Sequence, residues 1–179
     1  AVPAIVDRDT LPIDTVVAPA ESTMDAMRYQ LTTPYGTSNP IRLGIATAPV
    51  VVEKEPNDDP SQAQAVAPFC EIAGRFDDRR DMDWFTFDAK KDAVYYMEVY
   101  SHRLGLPTDP YLLIQQVSKD PDGQLNVKDI AEVDDPDGYD GSEYYNSRTA
   151  DPIYRFVAPE DGTYRVLVRD LNASPRGDL

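Results

Sequence analysis

Hydrophobic and polar positions alternate with a period of two along most of this chain, which is typical of strands with one buried face. Turn sequences such as Asp120-Pro121-Asp122-Gly123 separate the alternating segments, and a short helix or turn is expected at residues 61–66. The sequence therefore predicts an all-β fold, an antiparallel β-sandwich of jelly-roll type. Its seven strands are expected at residues 70–75, 84–88, 94–100, 111–117, 127–133, 153–157 and 163–169.

The alternation also divides the chain into three parts. Residues 1–47 hold short strand-like pieces at 15–18, 27–31 and 41–45, and the turn-rich connection at 33–40 predicts a hairpin between the last two. Residues 48–60 form an acidic linker, whose Ala/Pro-containing start favours an extended and stiff connection. Residues 61–179 supply the β-sandwich.

Composition narrows the class of partner. Lys and Arg number 17 against 32 Asp and Glu, so the net charge is −15, which disfavours nucleic acid and anionic membranes and attracts multivalent cations. The longest apolar runs fall short of the roughly 18–20 residues that span a bilayer. A single cysteine, Cys70, and a single histidine, His102, exclude an intrachain disulfide framework and a Cys/His zinc cluster.

The densest group of oxygen ligands lies where the linker meets the sandwich. Four of its members fall within six residues, and two aspartates at the start of the strand at 84–88 offer a second arm. Hard cations such as Ca²⁺ take roughly 6–8 oxygen ligands, so we expect a calcium site formed by Glu53, Glu55, Asn57, Asp58, Asp81 and Asp83. The buried face of that strand is either Trp84 with Thr86 or Phe85 with Phe87. The alternative interpretation is an acidic linker meeting an ordinary strand.

A second group of aspartates lies at predicted strand ends, which a sandwich can gather at one end of the fold. Like charges held close together repel unless a cation or a proton intervenes, so a second calcium site is a candidate here. The alternative is a solvated acidic loop, the usual explanation for such a run of charges. The residues are Asp109, Asp134, Asp135, Asp151 and Asp170.

Several of these motifs, in this order, resemble the bacterial pre-peptidase C-terminal domain. They are Glu53-Lys54-Glu55-Pro56-Asn57-Asp58, Ile72-Ala73-Gly74, Asp81-Met82-Asp83-Trp84-Phe85-Thr86-Phe87 and Phe156-Val157-Ala158-Pro159-Glu160-Asp161-Gly162-Thr163-Tyr164, and the resemblance covers residues 52–171. That family is a small β-sandwich appended to secreted peptidases and other exported proteins, and is related to the collagen-binding domains of bacterial collagenases. Residues 1–47 resemble the closing strands of an immunoglobulin-like module.

The resemblance implies calcium ligands at Glu53, Glu55, Asn57, Asp58 and Asp83. The relatives place a further aspartate three residues before the last of these, where this chain has Arg80, and Asp81 stands two before it. The family also closes with a strand that is missing after the region of Asp170 and Leu171. This predicts an open sheet edge, available for self-assembly.

These observations favour a non-catalytic, calcium-stabilised accessory module of a secreted or cell-surface protein, with an extracellular protein or polysaccharide as its ligand. The sequence around Ser101 and His102 does not match Gly-x-Ser-x-Gly or another motif of a catalytic nucleophile, so we expect no enzyme activity. No signal peptide is in view, and we expect a mature or internal segment of an exported protein. The alternatives are a structural subunit completed by strand donation from neighbouring chains and a glycan-binding module.

Overall fold

The computed structural model describes residues 26–77, 80–136 and 149–171. The chain folds into two compact units, Ala1–Ile45 and Ala46–Leu179. Within the described ranges its strands are β1 (Ala26–Tyr29), β2 (Thr32–Thr33), β3 (Gly36–Thr37), β4 (Ile41–Gly44), β5 (Val50–Val52), β6 (Gln64–Ala65), β7 (Glu71–Ala73), β8 (Met82–Ala89), β9 (Val94–Glu98), β10 (Pro110–Lys119), β11 (Leu125–Val133), β12 (Ile153–Val157) and β13 (Gly162–Asp170).

In the first unit, β1 and β4 pair antiparallel, with Met27 opposite Leu43. The connection between them forms a smaller hairpin of its own, in which β2 pairs with β3. Gly36 supplies the left-handed backbone of this tight turn, with a φ of 131°. The hairpin predicted across residues 33–40 is therefore present, whereas the strand expected at residues 15–18 lies outside the described residues.

The second unit is built around a five-stranded sheet with the order β11-β10-β13-β8-β6. Its long pairs, β10 with β11, β10 with β13 and β13 with β8, are all antiparallel. Strands β9 and β12 form a separate antiparallel pair. All seven strands predicted after residue 60 occur, with ends shifted by a few residues, and helix is confined in the described residues to single 3-10 turns at Pro60–Gln62 and His102–Leu104.

The core lies between the five-stranded sheet and the β9–β12 pair, which makes the second unit sandwich-like. Phe87, Ile114 and Tyr164 come from the large sheet, and Phe156 comes from β12. The Phe156 ring lies 5.0 Å from Tyr164 and 6.1 Å from Phe87, both edge to face, as aromatic pairs prefer. The all-β prediction is thereby confirmed.

Both candidate faces of β8 are buried. Phe85 and Phe87 point into the core, and Trp84, on the opposite face, is covered in part by the Arg165 guanidinium 4.9 Å from its ring. Because side chains alternate along a strand, Asp83 lies on the same face as Phe85 and Phe87. The start of β8 therefore places a carboxylate at the end of the hydrophobic core.

The segment predicted as an extended, stiff linker is partly a strand. Val50–Val52 forms β5, which pairs in parallel with β7 so that Val51 lies opposite Ile72. The Glu71 carboxylate accepts hydrogen bonds from the Thr47 and Ala48 amides and holds the start of this segment. Residues 46–52 thus belong to the second unit, in which part of the expected linker pairs as a strand.

Within the described ranges no helix has the length and apolar character needed to cross a lipid bilayer. Residues 172–179, from which the open-edge prediction was drawn, lie outside those ranges.

Replacing Phe156 with Ala should lower the free energy of unfolding by about 3–5 kcal/mol, because it removes a fully buried ring that contacts three other aromatic rings. Urea unfolding followed by Trp84 fluorescence measures the change. Tyr96→Ala is the matched control, since Tyr96 lies on the neighbouring strand and is 75% exposed. The control should change stability by less than about 0.5 kcal/mol, and equal losses in the two variants would contradict this placement of the core.

Candidate metal centre

Glu53 follows β5 directly and is held by the end of β7. Its backbone amide donates to the Ala73 carbonyl (3.0 Å), which continues the parallel ladder by one residue. Its carboxylate accepts a hydrogen bond from the Arg75 amide, 2.9 Å from Oε2. The position of this carboxylate is therefore set by the pairing of β5 with β7.

Asn57 joins the acidic segment to the start of β8. Its backbone carbonyl accepts from the Trp84 amide (3.0 Å), and its own amide donates to Glu55 Oε2 (3.0 Å). Its side-chain nitrogen donates to Glu53 Oε1 (3.3 Å). Asn57 is fully buried, and its remaining side-chain oxygen, Oδ1, has no hydrogen-bond partner.

The second arm comes from the start of β8. Asp81 and Asp83 are 7% and 4% exposed, and Oδ1 of Asp83 is a second buried oxygen without a hydrogen-bond partner. One carboxylate oxygen from each of Glu53, Glu55 and Asp83 lies within 4.8 Å of the other two. These three carboxylates and Asn57 Oδ1 are called the acidic cluster below.

Asp58 and Asp81 lie beside the acidic cluster as a pair. Their carboxyl groups are close enough to share a hydrogen bond, and Asp81 also accepts from the Asp77 amide. All six residues predicted as ligands thus lie in one region of the second unit, four of them in the cluster and two beside it. Sequence reasoning missed the backbone donors of Arg75 and Asp77, which no residue-type pattern encodes.

Burial and mutual repulsion dominate the electrostatics of this region. Burial, followed by the charges of Glu53 and Asp81, raises the pKa of Asp83 to about 9. Burial also raises the pKa of Asp81 to about 6, with help from Asp58 and Glu55, although the hydrogen bond from the Asp77 amide acts in the opposite direction. The region therefore carries more negative charge than its own donors balance, and it favours an added proton or cation.

The chemistry of the cluster fits a hard divalent cation. Its candidate ligand atoms are all oxygens, from three carboxylates and one amide, which is the ligand type that Ca²⁺ prefers. Buried polar atoms are nearly always hydrogen-bonded, and a bound cation is one kind of partner for buried oxygens such as Asn57 Oδ1 and Asp83 Oδ1. Glu53, Glu55, Asn57 and Asp83 would hold the ion, with Asp58 and Asp81 adjacent.

The candidate second site is only partly assembled. Carboxylate oxygens of Asp109, Asp134 and Asp135 lie within 4.8 Å of one another, and Asp170 Oδ1 accepts from the Asp109 amide (3.1 Å). Burial, followed by the charges of Asp135, Asp134 and Asp170, raises the pKa of Asp109. Asp134 and Asp135 are exposed, so water solvates them, and the interpretation as a solvated acidic surface stays open.

Asp151 does not join these aspartates, and its inclusion in the candidate second site is corrected. It is fully buried and accepts from the amides of Ser101 (3.0 Å), His102 (2.7 Å) and Arg103 (2.9 Å) and from Arg103 Nε (3.0 Å). Burial alone would raise the pKa of Asp151, but these donors outweigh burial and hold it below its usual value. Because the Asp151 carboxylate accepts these four hydrogen bonds, it holds the loop at residues 101–103 against the start of β12.

No family model and no curated protein matched this chain in our comparisons. The resemblance to the pre-peptidase C-terminal domain therefore stays a prediction.

Without calcium, the free energy of unfolding should fall as pH rises from about 4 toward about 9. Asp83 and Asp81 have raised pKa values in the folded chain, so above pH 4 the folded state binds more protons than the unfolded state, and stability is lost with rising pH. The slope for one proton is up to about 1.4 kcal/mol per pH unit. Urea unfolding in chelator at several pH values between 6 and 9 measures it.

Asp83→Asn should flatten this slope above pH 6, because the group that titrates in this range is removed. A stability that stays constant from pH 6 to pH 9 in wild-type protein would contradict the electrostatic account of the acidic cluster.

Asp151→Ala should lower the free energy of unfolding by about 2–5 kcal/mol, because it removes the shared acceptor of three backbone amides and of Arg103 Nε. Asp134→Ala, which removes an exposed carboxylate, should change stability by less than about 0.5 kcal/mol. Chemical unfolding of the two variants compares them, and a similar small effect of both would place Asp151 among the solvated aspartates.

Proposed function

We propose that the second unit is a non-catalytic, calcium-stabilised accessory module of an exported protein. The observation that carries the proposal is the pair of buried oxygens, Asn57 Oδ1 and Asp83 Oδ1, that lack hydrogen-bond partners beside two further carboxylates. The cost of leaving such atoms unpaired is about 1–3 kcal/mol each, and more for a charged group. A bound cation removes this cost and the repulsion together.

The proposed ion joins two segments that are distant in sequence. Glu53, Glu55 and Asn57 follow the three-residue strand β5, whereas Asp83 lies in β8 of the large sheet. Strand β5 has a short pairing with β7 and two exposed valines, and at its end the Gln64 side chain donates to the Val52 carbonyl and accepts from the Lys54 amide. Glu71 fastens the start of this segment, and calcium fastens its end.

This arrangement supports a mechanical function for calcium. The segment at residues 46–58 carries the chain from the first unit into the second, so an ion that fixes its end would make the connection resist unravelling. Ion binding would then couple the attachment of β5 to the stability of the sandwich. An extracellular location fits this use of calcium, because extracellular modules bind calcium with a Kd of about 10⁻⁴–10⁻³ M.

The outer face of the β9–β12 pair supports the binding component of the proposal. Tyr96 is 75% exposed there, and Val94, Ile153 and Val157 on the same face are also exposed. An exposed tyrosine offers a large contact area at low entropic cost, which suits recognition of an extracellular protein or polysaccharide. The tyrosines at positions 139, 144 and 145 lie outside the described residues.

The test is unfolding of the full chain with calcium and with chelator, followed by the fluorescence of Trp84, the single tryptophan, which lies in the second unit. Calcium at a hundredfold excess over its Kd should stabilise the folded state by about 2.7 kcal/mol. For a unit of this size, the midpoint should rise by about 5–10 °C.

Glu55→Gln and Asp83→Asn should each abolish most of this shift, because each removes a charged ligand of the acidic cluster. Glu160→Gln is the matched control, since this exposed glutamate lies outside the acidic cluster and should keep the full shift. An unchanged midpoint in wild-type protein, together with no heat of binding in calorimetric titration with CaCl₂, would overturn the proposed function.

A further inference from the structure

Gly74 lies against the carboxylate of Glu53 at the end of β7. A Cβ atom at this position would come within 2.7 Å of Glu53 Oε2, 2.9 Å of Cδ and 3.0 Å of Oε1. The next residue, Arg75, donates its amide to the same Oε2 at 2.9 Å. The space beside Gly74 and the amide of Arg75 thus accommodate the Glu53 carboxylate, and together they are called the carboxylate seat below.

The requirement for glycine here is spatial. The backbone of Gly74 lies outside the left-handed region, so an alanine can adopt its conformation. The backbone of Glu53 cannot retreat, because its amide bonds to Ala73 and continues the pairing of β5 with β7. The end of the Glu53 side chain is therefore the group that moves most readily to make room for a Cβ.

We infer that Gly74 is a positioning residue for the calcium ion, which it serves by leaving space for the carboxylate seat. This inference rests on the proposed function, since it names a determinant of the same site. Glu53 also accepts from the Asn57 side chain, so a displaced carboxylate would lose its alignment with both Arg75 and Asn57.

The movement of the Glu53 carboxylate should have a smaller effect on folding than on calcium binding. To reach ordinary van der Waals contact, the distance from the new Cβ to Oε2 must grow from 2.7 to 3.4 Å, a movement of about 0.7 Å. The end of the Glu53 side chain can make such a movement by rotating about its own bonds, and the cost to folding is limited to the weakening of its two hydrogen bonds. Calcium ligands, by contrast, lie within a range of about 2.3–2.6 Å from the ion, and disturbed groups around a metal ligand typically weaken affinity about 10–100-fold.

Calorimetric titration of the chelator-treated full chain with CaCl₂, at one fixed pH, tests the inference. Gly74→Ala should raise the Kd about 10–100-fold, while the unfolding midpoint in chelator stays close to that of wild type. Gly162→Ala is the matched control, because its added Cβ would meet no atom within 4 Å, and its Kd should equal that of wild type. Terbium luminescence sensitised by Trp84 gives a second measure of binding.

A double-mutant cycle shows whether Gly74 acts through Glu53. In the Glu53→Gln background, which already lacks the charged ligand, adding Gly74→Ala should cause little further loss of affinity. Independent, additive losses would overturn the inference, because they would mean that Gly74 affects binding by another route.

The remaining outcomes separate the inference from the proposed function. If wild-type protein binds calcium and Gly74→Ala binds it equally well, the inferred role of Gly74 is overturned, whereas the proposed calcium site is not. If Gly74→Ala is strongly destabilised in chelator, the glycine is a folding requirement and the inference is overturned. If wild-type protein binds no calcium, the proposed function falls and the inference falls with it.

Discussion

The repulsion between Asp83 and its neighbouring carboxylates at the end of the hydrophobic core is the constraint on which the candidate site depends. Asp83 is nearly fully buried, and one of its oxygens lacks a hydrogen-bond partner. An ionised carboxylate in such a place is costly unless something positive compensates it. A proton can do so, which is why the pKa of Asp83 is raised, and a divalent cation can do so for several carboxylates together.

The core and the site share a single strand register. Phe85 and Phe87 must face the core, and the alternation of side chains then turns Asp83 to the same side. The pairing of β8 with β13 fixes that alternation along eight residue pairs, from Met82 opposite Arg169 to Ala89 opposite Gly162. A slip of one residue would expose the phenylalanines and remove the carboxylate together. Folding of the large sheet therefore places the second arm of the site.

Much of the fold follows from local pattern, because period-two alternation and turn residues are properties of short segments. The seven strands predicted from residue 70 onward occur for this reason, whereas β6 lies in the segment where a short helix or turn was expected. The parallel pairing of Val50–Val52 with Glu71–Ala73 was not predictable, because it joins segments about twenty residues apart and both are short. Asp151 shows the same limit for sites. Its residue type suggests a metal ligand, but the backbone donors that satisfy it become visible only when the loop at residues 101–103 folds against it.

The two groups of aspartates and glutamates show why acidic composition alone does not define a metal site. Both hold three carboxylates within the same distance of one another. In the group at Asp109, two of the three residues are exposed, so water and salt screen the repulsion and no ion is required. In the acidic cluster, Asp83 and Asn57 are buried and hold oxygens that water does not reach. The sequence predicted ligand types at both places, but only burial, which depends on the whole sheet, distinguishes a cluster whose repulsion an added proton or cation would relieve from a surface where water already screens it.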